Sequence, residues 1–325
     1  MSRDNRTQLV VESILPFIET HRKLELQKNV RRPYILGVTG LQGSGKSHLA
    51  SALVVVLSKD HNYNTIEVSL DDFYLTHEEQ KALRTRKPSN SLLKARGQPG
   101  THDSSLLKSF FSQFSDPSTK SIWIPSFDKS LFQGEGDRLP QSEWKTINCH
   151  SPIDVVIFEG WCVGFQPCSE IEVEMKRAKA LQIRHHSNEP GTSITNGLED
   201  QFSIITLRNH ELVDLLHVND CLRTYSEDFM GPQHFDFMVH LDTDDLVNVY
   251  SWRMQQEHAL RMKRGTGMTD EGVVEFVQIY MPAYELYLDG LRSGFFKEMR
   301  GTNKTKGQLQ LVMGAQRNVV KSELF

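Results

Sequence analysis

Residues 34–59 read YILGVTGLQGSGKSHLASALVVVLSK, and three patterns follow one another in that stretch. Tyr34-Ile35-Leu36-Gly37-Val38-Thr39 is a short apolar run of the kind a buried strand carries. Lys46 to Lys59 sets Leu49, Ala50, Leu53, Val54 and Leu57 on one helical face. Between them Gly40-Leu41-Gln42-Gly43-Ser44-Gly45-Lys46-Ser47 satisfies the phosphate-loop pattern G-x-x-x-x-G-K-[ST]. That pattern arises by chance in roughly one chain in a hundred of this length, and here it also has the strand before it and the helix after it. Gly40, Gly43 and Gly45 let the backbone curl so that successive N–H groups converge on phosphate oxygens. The helix N-terminus adds partial positive charge at the same spot. Lys46 would reach the β- and γ-phosphates, and the Ser47 hydroxyl would ligate Mg²⁺. The competing reading is a glycine-rich turn without a ligand; the complete match favours a bound nucleoside triphosphate.

Composition narrows the class. The 325 residues are 38% hydrophobic and 24% charged, ordinary for a globular protein, with a net charge of −4. Bulk electrostatics therefore gives no reason to expect a nucleic-acid partner or an anionic membrane surface. No apolar run approaches the length of a membrane span. The polar start Met-Ser-Arg-Asp-Asn-Arg leads into no export-type apolar core. Cys149, Cys162, Cys168 and Cys221 are too scattered for a disulfide framework, and His185-His186 lie in a polar stretch without partners at metal-ligand spacing. These features set the expectation of a cytoplasmic protein with free thiols; a monomer is expected without a feature that derives it.

Beyond the opening stretch, Thr65 to Leu70, Asp154 to Phe158, Phe235 to Leu241 and Leu309 to Met313 read as further strands, with helical stretches between them. This alternation predicts an α/β fold with a mostly parallel sheet covered by helices on both faces. Residues 1–32 are expected to supply an amphipathic helix over 8–27, through Leu9, Val10, Ile14, Phe17 and Ile18. Residues 33–325 then form a single domain. Two segments interrupt it: 84–150, rich in Gly, Pro and Ser and read as substrate-side loops, and 168–200, a charged helix that becomes polar and loop-like around Ser187 to Asn196.

Ligands of open α/β sheets sit at the carboxyl ends of the strands, so the acids there come first. Asp71 and Asp72 follow the second strand directly. A phosphoryl-transfer enzyme acting on an alcohol needs a carboxylate to orient the hydroxyl and accept its proton, and Asp71 is the candidate; both acids could instead be turn formers. Glu159 ends the most apolar strand, where it would face the Mg²⁺ shell or simply cap the strand. Gly100-Thr101-His102-Asp103, Asp128-Lys129 and Gly134-Glu135-Gly136-Asp137-Arg138 mix charge with small residues. His102, Asp103, Asp128, Lys129 and Arg138, with Asp72, are the candidate grips on a small polar substrate, Lys129 and Arg138 for an anion. Asp103 reads equally well as the N-cap of the helix starting before Leu106-Leu107. Arg253, Arg261 and Arg264 fall close to one helical face ahead of Gly265 and Gly267, suiting a lid that closes over a transferring phosphate, though such runs are often solvated faces. Tyr280, Tyr284 and Tyr287 read as core.

These segments together resemble the plant- and fungal-type D-glycerate 3-kinase family, within the P-loop kinases beside uridine kinase, phosphoribulokinase and bacterial pantothenate kinase. The resemblance runs from about residue 33 to 320. It is carried by Gly40–Ser47, Ser69-Leu70-Asp71-Asp72-Phe73-Tyr74, Gly97-Gln98-Pro99-Gly100-Thr101-His102-Asp103, Phe127-Asp128-Lys129-Ser130, Phe158-Glu159-Gly160-Trp161, Val249-Tyr250-Ser251-Trp252-Arg253 and Tyr280-Met281-Pro282-Ala283-Tyr284. It implies a P-loop kinase fold, ATP and Mg²⁺, and transfer of the γ-phosphate to a hydroxyl of a small metabolite. It further implies Asp71 as base and the lid arginines as phosphate clamps. A uridine- or pantothenate-type kinase, or an ATP-binding protein without transfer activity, are the alternatives. A guanine switch is disfavoured, since Asn303-Lys304-Thr305-Lys306 lacks the aspartate of Asn-Lys-x-Asp.

Overall fold

The computed structural model describes residues 5–28, 32–116, 118–149, 151–183, 201–265, 267–299 and 305–325. Chain order is α1 (Asn5–Glu25), β1 (Tyr34–Gly40), α2 (Lys46–Asp60), β2 (Thr65–Ser69), α3 (His77–Arg86) and α4 (Ser104–Ser112). There follow β3 (Ser121–Ile124), β4 (Phe127–Asp128), β5 (Asp137–Arg138), β6 (Lys145–Asn148), β7 (Val155–Gly160), α5 (Glu170–Gln182) and α6 (Leu212–Tyr225). The chain closes with β8 (Phe237–Thr243), α7 (Asn248–Arg264), α8 (Asp270–Arg292), β9 (Gly307–Met313) and β10 (Val319–Leu324).

The central sheet has the order β10-β9-β8-β1-β7-β2. β9, β8, β1, β7 and β2 are parallel, as their uninterrupted apolar runs predict, and β10 alone is antiparallel. Every residue of β1, β7 and β8 is buried, so both faces of the central strands are covered. α1 packs on α2 and on β1, β8 and β9 through Val10, Val11, Ile14 and Ile18. β10 escaped the sequence reading because Val-Val-Lys-Ser-Glu-Leu is half-exposed at an edge and alternates too weakly to be told from a loop. Among the described residues no helix is long and apolar enough to cross a membrane.

The segment 84–150 is more ordered than a loop. It folds into α4 and two antiparallel ribbons, β3–β6 and β4–β5, because Leu107, Phe110, Ile122 and Ile124 bury against the core. The helix expected at the start of 168–200 is α5, while the polar part from Ser187 to Asn196 lies outside the described residues.

Register positions the acids. Ser69 of β2 stands opposite Glu159 of β7, and Val38 of β1 stands opposite Glu159 on the other side. Asp71 and Asp72 follow in a one-turn 3₁₀ helix, Leu70–Phe73, which Ser69 caps by accepting from the Asp71 N–H. Three carboxylates thus collect beside the glycine loop, at the carboxyl ends of adjacent strands.

Candidate active site

The loop from Gly40 to Ser47 turns at two glycines. Gly43 and Gly45 have φ of +78° and +90°, in the left-handed region that side chains avoid. Gly40 turns nothing: it ends β1 as strand, and a Cβ there would meet Leu241 Cβ and Ser44 Oγ at 2.8 Å. Leu41 N–H donates to Leu241 O, Gln42 N–H to the Tyr284 hydroxyl and Ser44 N–H to Leu41 O. Leu41, Gln42 and Ser44 are themselves buried. Gly45 stands at the N-terminus of α2 without a side-chain cap. Among the described residues the N–H groups of Gly43, Gly45, Lys46 and Ser47 have no protein acceptor, which leaves four donors and the helix terminus for an anion.

Glu159 is the hub of the acidic side. It is 5% exposed, and its Oε1 accepts from Ser47 Oγ at 3.2 Å and from Ser69 Oγ at 2.8 Å. Among the described residues its Oε2 is buried with no hydrogen-bond partner, and the Lys46 ammonium lies 4.0 Å from it. A buried carboxylate oxygen is costly without a partner. An oxygen-rich pocket of one such carboxylate and two hydroxyls, next to a phosphate loop, fits a hard divalent cation such as Mg²⁺.

Burial alone would raise the Asp71 carboxyl, but Lys129, with Nζ 2.5 Å from Oδ2, and Lys46 outweigh it and hold the carboxyl at about 2. Asp72 goes the other way. Burial, with the charges of Asp71 and Glu159 nearby, raises it to about 6 although it accepts from Phe127 N–H at 3.3 Å. Folded Asp72 therefore binds its proton more tightly than unfolded Asp72, so stability contributed by this group is lost as pH rises through about 4 to 6. Asp72→Asn removes that fall: the variant should melt a few degrees higher than wild type at pH 8 and show no such gain at pH 4, as read by calorimetry. Equal melting shifts at both pH values would refute it.

On the far side of Asp71, His102 is 3% exposed and stacks on Tyr74 with centroids 4.4 Å apart. Its Nδ1 lies 3.2 Å from the Tyr225 hydroxyl, while Nε2 is buried without a partner. Burial pushes the ring down to about 4 despite Asp71, which leaves it neutral at pH 7 with Nε2 free of a partner among the described residues.

The remaining candidate residues are more engaged than their sequence suggests. Asp103 Oδ1 caps α4 through Leu106 N–H at 2.9 Å, and its Oδ2 pairs with Arg138 Nη1 at 3.1 Å. Arg138 also donates to Tyr74 O at 3.3 Å and has Glu79 within 3.7 Å. Asp128 Oδ1 accepts from the N–H and hydroxyl of Ser130 in a local turn. The structure thus brings Lys46, Ser47, Asp71, Asp72, His102, Lys129 and Glu159 together, and ties Asp103, Asp128 and Arg138 into the walls.

α7 and α8 form an antiparallel hairpin across Gly265, which has φ +75°. Arg253 pairs with buried Glu257 at 2.9 Å and lies 5.1 Å from the Phe276 ring centroid. Arg261 pairs with Asp270 at 2.5 Å. The side chain of Arg264 lies outside the described residues. Tyr280, Tyr284 and Tyr287 are buried as expected, and Tyr284 also braces the loop at Gln42.

Sequence reasoning missed Ser69, whose signal was its place two residues before Asp71 at a strand end. It also missed Tyr225, whose hydroxyl oxygen accepts from the N–H groups of Gly100 and His102 at 2.9 and 3.1 Å. Nothing local marks Tyr225; the contact exists only in three dimensions.

No protein-family profile matches the chain. It is 40% identical to an uncharacterized kinase, mug58, of Schizosaccharomyces pombe, over 87% of this chain and 90% of that one. It is 33% identical to a probable ATP-dependent kinase, TDA10, of Saccharomyces cerevisiae, over 88% of each. Among solved structures it superposes on a D-glycerate 3-kinase from Cryptococcus neoformans with a TM-score of 0.82 at 34% identity, covering 99% of this chain and all of that one.

Proposed function

The chain belongs to the D-glycerate 3-kinase-like family of P-loop kinases, and on that premise we propose that it transfers the γ-phosphate of ATP to a hydroxyl of a small polar metabolite. The observation that carries the reading is the Asp71 carboxylate at the end of β2, paired with Lys129, beside a phosphate loop in which four N–H groups have no acceptor among the described residues. A switch or a silent nucleotide binder needs the loop; it does not need a base on the acceptor side.

In the proposed reaction the acceptor oxygen forms a bond to the γ-phosphorus as the bond from that phosphorus to the β,γ-bridging oxygen breaks. The acceptor proton goes to Asp71, and ADP leaves with the bridging oxygen. A carboxylate held so low is a weak base, which suits a loose transition state in which the hydroxyl gives up its proton late. Lys46 and the N–H groups of Gly43, Gly45 and Ser47 would hold the phosphates in line. Glu159, Ser47 and Ser69 would hold Mg²⁺, which when bound neutralises charge on the β- and γ-phosphates. His102 Nε2 would take a hydroxyl of the acceptor and Lys129 an anionic group on it. Arg253, Arg261 and Arg264 would clamp the phosphate on closure, which for Arg253 and Arg261 means leaving Glu257 and Asp270.

The test is ATP consumption over a panel of small hydroxy acids, nucleosides, pantothenate and sugars, with D-glycerate included. Strong stimulation by D-glycerate or another hydroxy acid is the expected result. Stimulation only by a nucleoside or pantothenate would move the reading to the related kinases, and none by any acceptor would favour the silent binder.

A further inference from the structure

Two arginines from opposite ends of the chain meet at the back of the phosphate loop. Arg317, in the turn between β9 and β10, donates from Nε to Gly43 O at 2.7 Å, from Nη2 to Trp252 O at 2.9 Å and from Nη1 to Gln255 Oε1 at 2.6 Å. Its guanidinium lies 5.7 Å from the Trp252 ring centroid. Its own backbone has φ +58°, a conformation that costs a side-chain-bearing residue free energy and persists where surroundings impose it. Arg6, in the first turn of α1, donates from Nη1 to Ser44 O at 3.3 Å. Its guanidinium is also what a Cβ at Gly45 would meet first, at 3.4 Å.

A trans peptide is planar, with C=O and N–H on opposite sides. Gripping Gly43 O from behind therefore fixes the Ser44 N–H, which closes the turn onto Leu41 O at 3.1 Å. Gripping Ser44 O fixes the Gly45 N–H away from Arg6, toward the open side of the loop. A cationic donor on each carbonyl also polarises the peptide behind it, making the forward N–H a stronger donor. Against a loop of glycines, which has little rigidity of its own, two such contacts supply order before any ligand arrives.

We infer that Arg6 and Arg317 are positioning residues for the triphosphate, holding consecutive loop carbonyls backward so that the loop is set for phosphate. The inference rests on the reading of Gly40–Ser47 as the ATP loop. Arg317 lies beside the loop only because β10 folds back antiparallel, and Arg6 only because α1 docks on the sheet; the brace gives those two terminal elements a part in nucleotide affinity.

Titration calorimetry with Mg²⁺ and ATP, inorganic tripolyphosphate and adenosine tests it on the full chain. Arg317→Met keeps an unbranched apolar stem and should weaken ATP and tripolyphosphate about tenfold or more, as loss of a charged hydrogen bond does. Arg6→Met should weaken both by a smaller factor, and Arg6→Lys, which keeps the charge and a donor for Ser44 O, should restore part of it. Adenosine affinity should stay within about twofold, and in turnover KM for ATP should rise while KM for the acceptor holds. Because both act on one loop, the double variant should lose less than the product of the single losses. Should Arg317→Met fail to fold, Arg6→Met decides alone, since Arg6 lies outside the core. Unchanged tripolyphosphate affinity, or an equal loss for adenosine, overturns the brace. A wild-type chain that binds adenosine but neither ATP nor tripolyphosphate overturns the loop reading, and the brace with it.

Discussion

Asp71→Asn should lower kcat about a thousandfold or more while leaving the affinity for ATP within about twofold of wild type. The size follows from what a positioned base contributes, typically 10² to 10⁴ in rate, together with the loss of the hydrogen-bond acceptor that orients the hydroxyl. The selectivity follows from position. Among the described residues Asp71 has no hydrogen bond or ion pair with Gly40–Ser47, feeling only the charge of Lys46, and its partner is Lys129, 56% exposed, whose ammonium water can solvate once the pair is gone. Folding is therefore little affected, since partly exposed ion pairs contribute little. Removing a negative charge that Lys46 helps to stabilise should, if anything, tighten the triphosphate. Rapid-quench turnover with the best acceptor from the panel, alongside ATP titration, reads both quantities. A loss under tenfold would remove Asp71 as base. If Asp72→Asn then lost more, with an acid limb near pH 6 in the wild-type rate, the role would pass to Asp72.

The half of this site proposed to hold phosphate was legible because its chemistry is local. Eight consecutive residues write a strand end, a left-handed turn and a helix N-terminus, and backbone donors need no partner from elsewhere. Asp71 and Glu159 were legible one step further out, since parallel strands end on the same side and their register sets Ser69 against Glu159. The acceptor side was not legible to the same degree. Asp103, Asp128 and Arg138 look like free charge in sequence, yet each finds a cap, a turn or an ion pair within the insertion. Charged residues in a loop-like segment report nothing about whether they face a ligand or each other until the ribbon β4–β5 is folded onto Tyr74. Gly40 misled in the opposite direction: its glycine serves the close approach of Leu241 and Ser44, a packing need that the motif spells the same way as a turn.

Glu159→Gln should abolish most of the Mg²⁺ dependence of ATP binding. Glutamine matches glutamate in shape, and its carbonyl can still accept from Ser47 and Ser69, so the hydroxyls keep their places. What changes is the charge and the character of the buried second oxygen, which has no hydrogen-bond partner of its own. If that oxygen serves a divalent cation, the variant should bind ATP in Mg²⁺ about 10- to 100-fold more weakly, the range seen when metal-supporting groups are lost. ATP affinity in EDTA should be unchanged or higher, because a negative charge has left the vicinity of the phosphates. A second readout separates this from simple structural damage. Burial is the main reason Asp72 sits near 6, with the charges of Asp71 and, least, Glu159 adding to it, so in the variant Asp72 should titrate slightly lower by NMR of a carboxyl-labelled chain. A strand-capping role for Glu159 predicts the opposite pattern: ATP affinity falling equally with and without Mg²⁺, together with a lower melting temperature. Retention of the wild-type Mg²⁺ dependence would remove Glu159 from the metal's surroundings and leave Ser47 without its carboxylate partner there.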